Sequence, residues 1–334
     1  MMRIAQVLLS PRLGGAESLA FAIESGWRAA GHETKIFYLD AGDSRSKFRL
    51  SRLARSLRHY RADAILSHSA IPNIYSRLAA PRETPVVTVL HSAVDDFESA
   101  KLRLLEKVLR RRTSAVVAVN EFQLASYVSR FGPKVPSAVI PNGIRDGLGH
   151  KTAYESAPRL VMTIARVAEQ KNPEFWMDVV SQASERMSGL DFRWHGPVTP
   201  QPGMSEIVAS AKGTAARFLP PTINPGTELL QADIVFHPAS REAFSIALLE
   251  AAAVGVPVIC SDTVYSTFPA DFPFTTYVDL DVASAVAAIC KVSAEYGRVS
   301  VAAAAASSTI RSTYSETQCA AKYLSLLSTL SGNR

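Results

Sequence analysis

The chain has 334 residues, 47% hydrophobic and 20% charged, an ordinary globular composition with length for two domains rather than one. Disordered, fibrous and disulfide-stapled chains are excluded: the three cysteines, Cys260, Cys290 and Cys319, lie far apart without metal-ligand spacing, which points to a reduced cytosolic protein. The net charge of +6 is uneven, with 22 basic against 13 acidic residues in 1–146 and 14 against 17 thereafter, so the first half is expected to face an anionic partner.

The opening apolar run, Arg3–Leu8, is too short for a leader and is interrupted by Pro11 and Arg12; it reads as a first strand. Strands are then expected at Thr34–Leu39, Ala62–Ser67, Val86–Leu90, Ala115–Val119 and Ser137–Ile140, separated by helical patterns such as Ala16–Ala30, which Gly31 closes. That rhythm predicts βαβ units and a parallel sheet over 1–145. Two of its helical stretches are strongly basic. Arg45, Lys47, Arg49, Arg52, Arg55, Arg58 and Arg61 belong to one; Lys101, Arg103, Lys107, Arg110, Arg111 and Arg112 belong to the other. The simplest reading leaves these cations in water around an apolar stripe; the sharper one is attraction to an anionic membrane surface. Nucleic acid is not expected, because stacking aromatics are not interleaved with the charge.

Residues 146–158, rich in glycine, charge and small polar groups, read as a linker. The strand rhythm restarts at Arg159–Ile164, Asp191–His195, Ala216–Leu219, Asp233–His237, Val256–Ser261 and Thr275–Val278. Residues 159–311 are therefore expected to form a second α/β domain, with a last helix at 312–330 returning to the first. Two such domains would enclose a cleft at their strand C-termini. No stretch is apolar for long enough to cross a bilayer, since Glu250 breaks the best candidate.

The segment from Ser240 to Ile259 is the most informative. A strand ending at Pro238 leads into a loop bearing Glu242 and a helix with Phe244, Leu248 and Leu249 on one side, stopped by Gly255 and Pro257. A helix start offers free N–H groups to a phosphate, whereas carboxylates beside it, Glu242 and Glu250, accept from hydroxyls. Phosphate and polyol at one site imply a nucleotide sugar. Arg166 and Lys171, five residues apart after the strand at 159–164, are placed to converge on a diphosphate as fork and point charge. Gly14 and Gly15, after the first strand, suit a tight βα turn or a close backbone approach to a ligand, but do not fit the dinucleotide fingerprint. His91, directly after its strand, is expected either to donate a hydrogen bond to a reacting sugar or to be a satisfied structural histidine; His68 has the same placement. Asp279 and Asp281 could hold a divalent cation, but Asp281 reads better as a helix cap, and no metal is expected.

The order Gly14-Gly15-Ala16-Glu17, His91, Pro141-Asn142-Gly143, Arg166 with Lys171-Asn172, then Glu242 and Glu250 before Gly255-Val256-Pro257-Val258 resembles the retaining GT-B glycosyltransferases of family 4. The resemblance implies two Rossmann-like domains facing each other across a deep cleft, and metal-independent transfer that retains anomeric configuration. It assigns the diphosphate of a UDP-sugar or GDP-sugar donor to Arg166 and Lys171, sugar hydroxyls to Glu242, and ribose to Glu250. Backbone amides of Phe244, Ser245 and Ile246 would assist at the phosphate with Gly15 below, and His91 would face the transferred sugar. Leu219 and Pro220 would lie near the base. Ser245 and Ala165 stand where relatives commonly have glycine, and Asn120 where a serine is frequent. A hexose-type sugar passed to a lipid-linked glycan, glycolipid or polysaccharide acceptor at the inner membrane face is the function expected. A nucleotide-sugar epimerase and a non-catalytic sugar-nucleotide binder are the alternatives.

Overall fold

A computed structural model describes residues 1–11, 15–40, 49–91, 97, 99–222, 224–269, 272–278 and 280–332. The chain forms two compact units, residues 1–143 with 314–334, and residues 144–313.

The first unit runs β1 (Arg3–Leu8), α1 (Gly15–Ala29), β2 (Glu33–Tyr38), α2 (Arg49–Tyr60), β3 (Ala64–His68), α3 (Ala70–Ala79), β4 (Val86–Val89), α4 (Ala100–Leu109), β5 (Ala115–Ala118), α5 (Glu121–Phe131) and β6 (Ser137–Val139). The strands form one parallel sheet in the order β2-β1-β3-β4-β5-β6, so the direction of winding reverses between β1 and β3. Alternation along each strand divides the apolar residues between two faces. Ile4, Ala64, Leu66, Val87 and Val89 meet Leu19, Ile23 and Trp27 of α1 on one face. Ala5, Val7 and Ile65 meet Leu53 and Leu57 of α2 on the other.

The helix α13 (Glu316–Gly332), from the far end of the chain, completes the first face. A Cβ on Gly26 would lie 2.7 Å from the Ala320 Cβ, so a bare backbone lets the two helices close. Trp27 donates from Nε1 to the Ala320 carbonyl at 2.9 Å.

The second unit runs β7 (Leu160–Ile164), α6 (Pro173–Arg186), β8 (Asp191–His195), α7 (Met204–Ser210), β9 (Ala216–Leu219), α8 (Pro225–Gln231), β10 (Ile234–His237), α9 (Ile246–Val254), β11 (Val258–Ser261), α10 (Asp262–Tyr265), β12 (Phe274–Tyr277), α11 (Val282–Ala294) and α12 (Tyr296–Thr313). Its parallel sheet has the order β12-β11-β10-β7-β8-β9, reversing between β7 and β10. Trp176 of α6 and Trp194 of β8, both fully buried, cross edge-to-face at 5.4 Å in its core.

Residues 146–158, expected as a linker, instead pack within the second unit. Lys151 donates from Nζ to Asp233 Oδ1 (2.9 Å) and the Ala232 carbonyl (2.6 Å), and Tyr154 donates from its hydroxyl to the Gly255 carbonyl (2.8 Å). Burial alone would raise the Asp233 pKa; the amides of Arg159 and Leu160 and the Lys151 ammonium outweigh it and lower the value. No helix among the described residues is long and apolar enough to cross a membrane.

Candidate active site

The second unit's candidates gather at one edge of its sheet. Because β10, β7, β8 and β9 are adjacent and parallel, their C-termini open together, and loops leaving β7 and β10 meet at the winding reversal. Ala165 is fixed first. Its carbonyl accepts from Trp194 Nε1 at 2.7 Å, and its amide donates to the His195 carbonyl at 3.1 Å. Gly196 passes so close that a Cβ there would lie 1.8 Å from the Ala165 carbonyl oxygen. Arg166 follows, exposed and with neither hydrogen bond nor ion pair among the described residues.

A short 3-10 turn, Glu169–Lys171, then meets Asn172 in the left-handed region at φ 58°. Asn tolerates this conformation better than most residues, and Pro173 starts α6 at once. The turn leaves Lys171 buried. Ser240, in the loop after β10, donates its amide to the Gln170 carbonyl at 3.2 Å and so ties the two loops together.

Lys171 Nζ donates to Glu242 Oε2, and the buried His237, at the end of β10, places its Nε2 3.3 Å from the same oxygen. Burial opposes the charge on Glu242, but Lys171 first and His237 second overcome it and hold its pKa at about 2. Burial is also the main reason that His237 has a lowered pKa, so the ring is neutral at pH 7 and its Nε2–H is the donor. Both bonds go to one carboxylate oxygen. Oε1 remains as the acceptor for a ligand hydroxyl.

The helix after this loop starts later than its sequence pattern suggests. Phe244 and Ser245 precede α9, which begins at Ile246. Phe244 is core, its ring stacked on Phe268 at 4.5 Å. Ser245 is the cap residue, yet its hydroxyl accepts none of the first-turn N–H groups. Those donors, Ile246 among them, keep their orientation toward the loop. Glu250 is the fifth residue of α9, one turn inside; Arg145 Nε lies 3.9 Å from its Oε1. Leu219 ends β9, half-buried, and Pro220 after it is exposed.

In the first unit, His91 follows β4 and places Nε2 2.9 Å from His68 Nδ1. Gly15 opens α1 and is exposed; Gly14, like Arg12 and Leu13, lies outside the described residues, as do Arg45, Lys47 and Asp279. Asp281 caps α11, accepting from the Ala283 amide at 3.2 Å. Among the described residues, no three His, Cys, Asp or Glu side chains cluster to hold a metal ion.

Lys171 and Glu242 are thus in direct contact, with Arg166 on the same loop as Lys171. His237 is the site residue that pattern reading missed. It stands at a strand C-terminus, the placement that singled out His91, and that signal could have found it.

Two parallel α/β sheets, each reversing its winding once, with the loops of the candidate residues at their C-terminal edges, are the GT-B architecture. Residues 41–147 match the model for Glycosyltransferase Family 4 and residues 150–267 that for Glycosyl transferases group 1, and the chain belongs to this family. Among solved structures it is similar to sucrose-phosphate synthase from Thermosynechococcus elongatus, with a TM-score of 0.83 and 16% identity over 100% of both chains. A glycosyltransferase from Rickettsia africae gives 0.81 and 16% over 100% of this chain and 99% of that one. HepE from Anabaena, solved with UDP and glucose, gives 0.82 and 16% over 98% and 100%. At such identity these likenesses establish the fold. A search of curated protein sequences found no match.

Proposed function

We propose that the protein transfers a hexose-type sugar from a nucleoside-diphosphate sugar, UDP- or GDP-linked, to a glycan or lipid-linked acceptor, without a metal and with retention at the anomeric carbon. The observation that carries this reading is the buried Lys171–Glu242 pair, with the exposed Arg166 on the same loop as Lys171. The pair is neutral overall, so Arg166 supplies the unbalanced positive charge for a diphosphate. An ammonium has three donors; with one on Glu242, two remain for phosphate oxygens. The α9 N–H groups left open by Ser245 add a dipole. Together these groups stabilise a nucleoside diphosphate as it departs, when its charge grows. Glu242 Oε1 takes a sugar hydroxyl and Glu250 the ribose. HepE, similar in fold, has been solved with UDP-glucose, which agrees with a donor of this class.

Lys171→Ala should lower kcat by about a hundredfold or more, measured as sugar transfer from a panel of UDP- and GDP-hexoses. Near-normal transfer by a folded variant would refute the assignment. Proton NMR of the product gives the anomeric outcome, and undiminished rates in a chelator are expected.

We also place the acceptor at the cytoplasmic face of a membrane. Leu104 and Val108 are 63% and 62% exposed on the outer face of α4, flanked by the exposed Lys101, Lys107 and Arg111. Within the helix the one acid, Glu106, is buried against Arg77. The basic stretch before it contributes less: Arg49 pairs with Asp40, and Arg52 donates to the Leu39 carbonyl. Flotation with anionic vesicles at low salt, lost for Leu104→Ser/Val108→Ser, is the expected result; equal failure on anionic and neutral vesicles removes the idea.

A further inference from the structure

We propose that Gln6 and His68 set the tautomer of His91, so that His91 meets the substrate with a hydrogen-bond acceptor, Nδ1, and not with a donor. The inference deepens the reading above and rests on it for the presence of a substrate at His91.

The three residues belong to neighbouring strands. Gln6 is on β1, His68 ends β3 and His91 follows β4, and these strands are consecutive in the sheet, beginning at its winding reversal. Each residue stands an even number of positions from a strand residue that packs toward α1 (Ile4, Leu66 and Val89), so strand alternation puts all three on one face.

Their hydrogen bonds run in one direction, and chemistry fixes that direction at its far end. The Gln6 side-chain nitrogen lies 2.9 Å from the Ala20 carbonyl oxygen. A carbonyl only accepts, so the amide presents NH2 there and cannot be flipped. Gln6 Oε1 therefore faces His68 Nε2, at 3.0 Å. That oxygen only accepts as well, so His68 carries its proton on Nε2. Burial pushes the His68 pKa well below its ordinary value, and the ring, with one proton, has a bare Nδ1. His91 Nε2 lies 2.9 Å from that bare nitrogen and must be the donor. Burial also lowers the His91 pKa, to about 4, so near pH 7 it too has one ring proton, already committed. Its Nδ1 is left with a lone pair and has no partner among the described residues. The donating role expected of His91 from sequence is thus used up inside the protein. A substrate hydroxyl can donate to Nδ1; a group with no hydrogen to give cannot.

The tautomer is measured directly on the full-length protein by 15N ring correlation NMR, with His91 assigned by comparison with His91→Gln. We expect a protonated Nε2 and a bare Nδ1 near neutral pH; a protonated Nδ1 overturns the proposal. Gln6→Glu puts a carboxylate beside His68 and favours its imidazolium, which must donate from Nδ1 and drive the His91 proton to Nδ1. If Gln6→Glu does not fold, Gln6→Met, which neither donates nor accepts on this ring edge, is expected to give a mixture. An unchanged His91 tautomer in whichever variant folds refutes the relay.

Turnover on donors with each sugar hydroxyl replaced in turn by fluorine reads the consequence. The wild type should lose about tenfold in kcat/KM at one position, and the loss should shrink to about threefold or less in Gln6→Glu. Expected tautomers without a sensitive position would overturn the substrate role of His91 while leaving the relay; wrong tautomers in an active enzyme would overturn the relay and leave the transferase reading.

Discussion

Replacing Lys171 by Met keeps the buried stem and removes the charge, leaving Glu242 with only the neutral His237. The side chains of Lys171 and Glu242 are 11% and 17% exposed, so the rules for buried pairs apply and those for surface pairs do not. Breaking such a pair from one side costs about 3–5 kcal/mol, because an unmatched charge stays inside. Lys171→Met and Glu242→Leu should therefore each destabilise the second unit by about 3 kcal/mol. The double variant should recover most of this and stand within about 1 kcal/mol of wild type, since an apolar pair of similar volume is no worse than an ion pair there. Coupling in the cycle of about 5 kcal/mol follows, with transferase activity lowered by about a hundredfold or more in all three variants. Urea denaturation followed by tryptophan fluorescence suits the measurement: Trp176 and Trp194 report the second unit, and Trp27→Phe removes the signal of the first. If the double variant lost as much as the two singles summed, the side chains would not be partners in solution, and the site described here would lose its centre.

Glu242 also predicts a pH dependence. Its folded pKa is depressed from 4.5 to about 2, so its contribution is complete above about 4.5 and disappears as pH falls toward 2; the shift corresponds to about 3 kcal/mol. Denaturation curves between pH 5 and 2, in about half-unit steps, should show this extra loss in wild type and not in Glu242→Gln. Gly196→Ala puts a methyl group 1.8 Å from the Ala165 carbonyl oxygen, and the loop bearing Arg166 and Lys171 must move. We expect a cost of about 1–3 kcal/mol and at least about a tenfold loss of kcat/KM; wild-type turnover would show that the loop position is not critical.

The parallel sheets were legible because their signals are local. Buried strands such as Ala115–Ala118 are unbroken β-branched or small apolar runs, and parallel sheets covered on both faces need such runs. Boundaries moved by only one or two residues at most strands. Reading failed where tertiary context decides. Phe244 has helical spacing to Leu248, yet its ring is held by Phe268, and the helix waits until Ile246. Residues 146–158 look like a linker in composition, but Lys151 finds Asp233, distant in sequence. For the site, the proximity of Lys171 and Glu242 followed from each standing after a strand, while their direct pairing and the part of His237 depend on which strands become neighbours. A tautomer is beyond any motif, because it depends on a carbonyl in α1 meeting a side chain of β1.

The return of α13 to the first unit has a consequence for synthesis. A nascent chain that has emerged only through residue 143 holds all six strands of its sheet, but the apolar surface around Trp27 and Ile23 has no cover until Tyr323 and Leu327 are translated. The second unit, by contrast, is contiguous and can close as soon as it leaves the ribosome. The domain whose strands are made first is thus the one finished last, and until α13 arrives its α1 face is the apolar surface still open to misassembly.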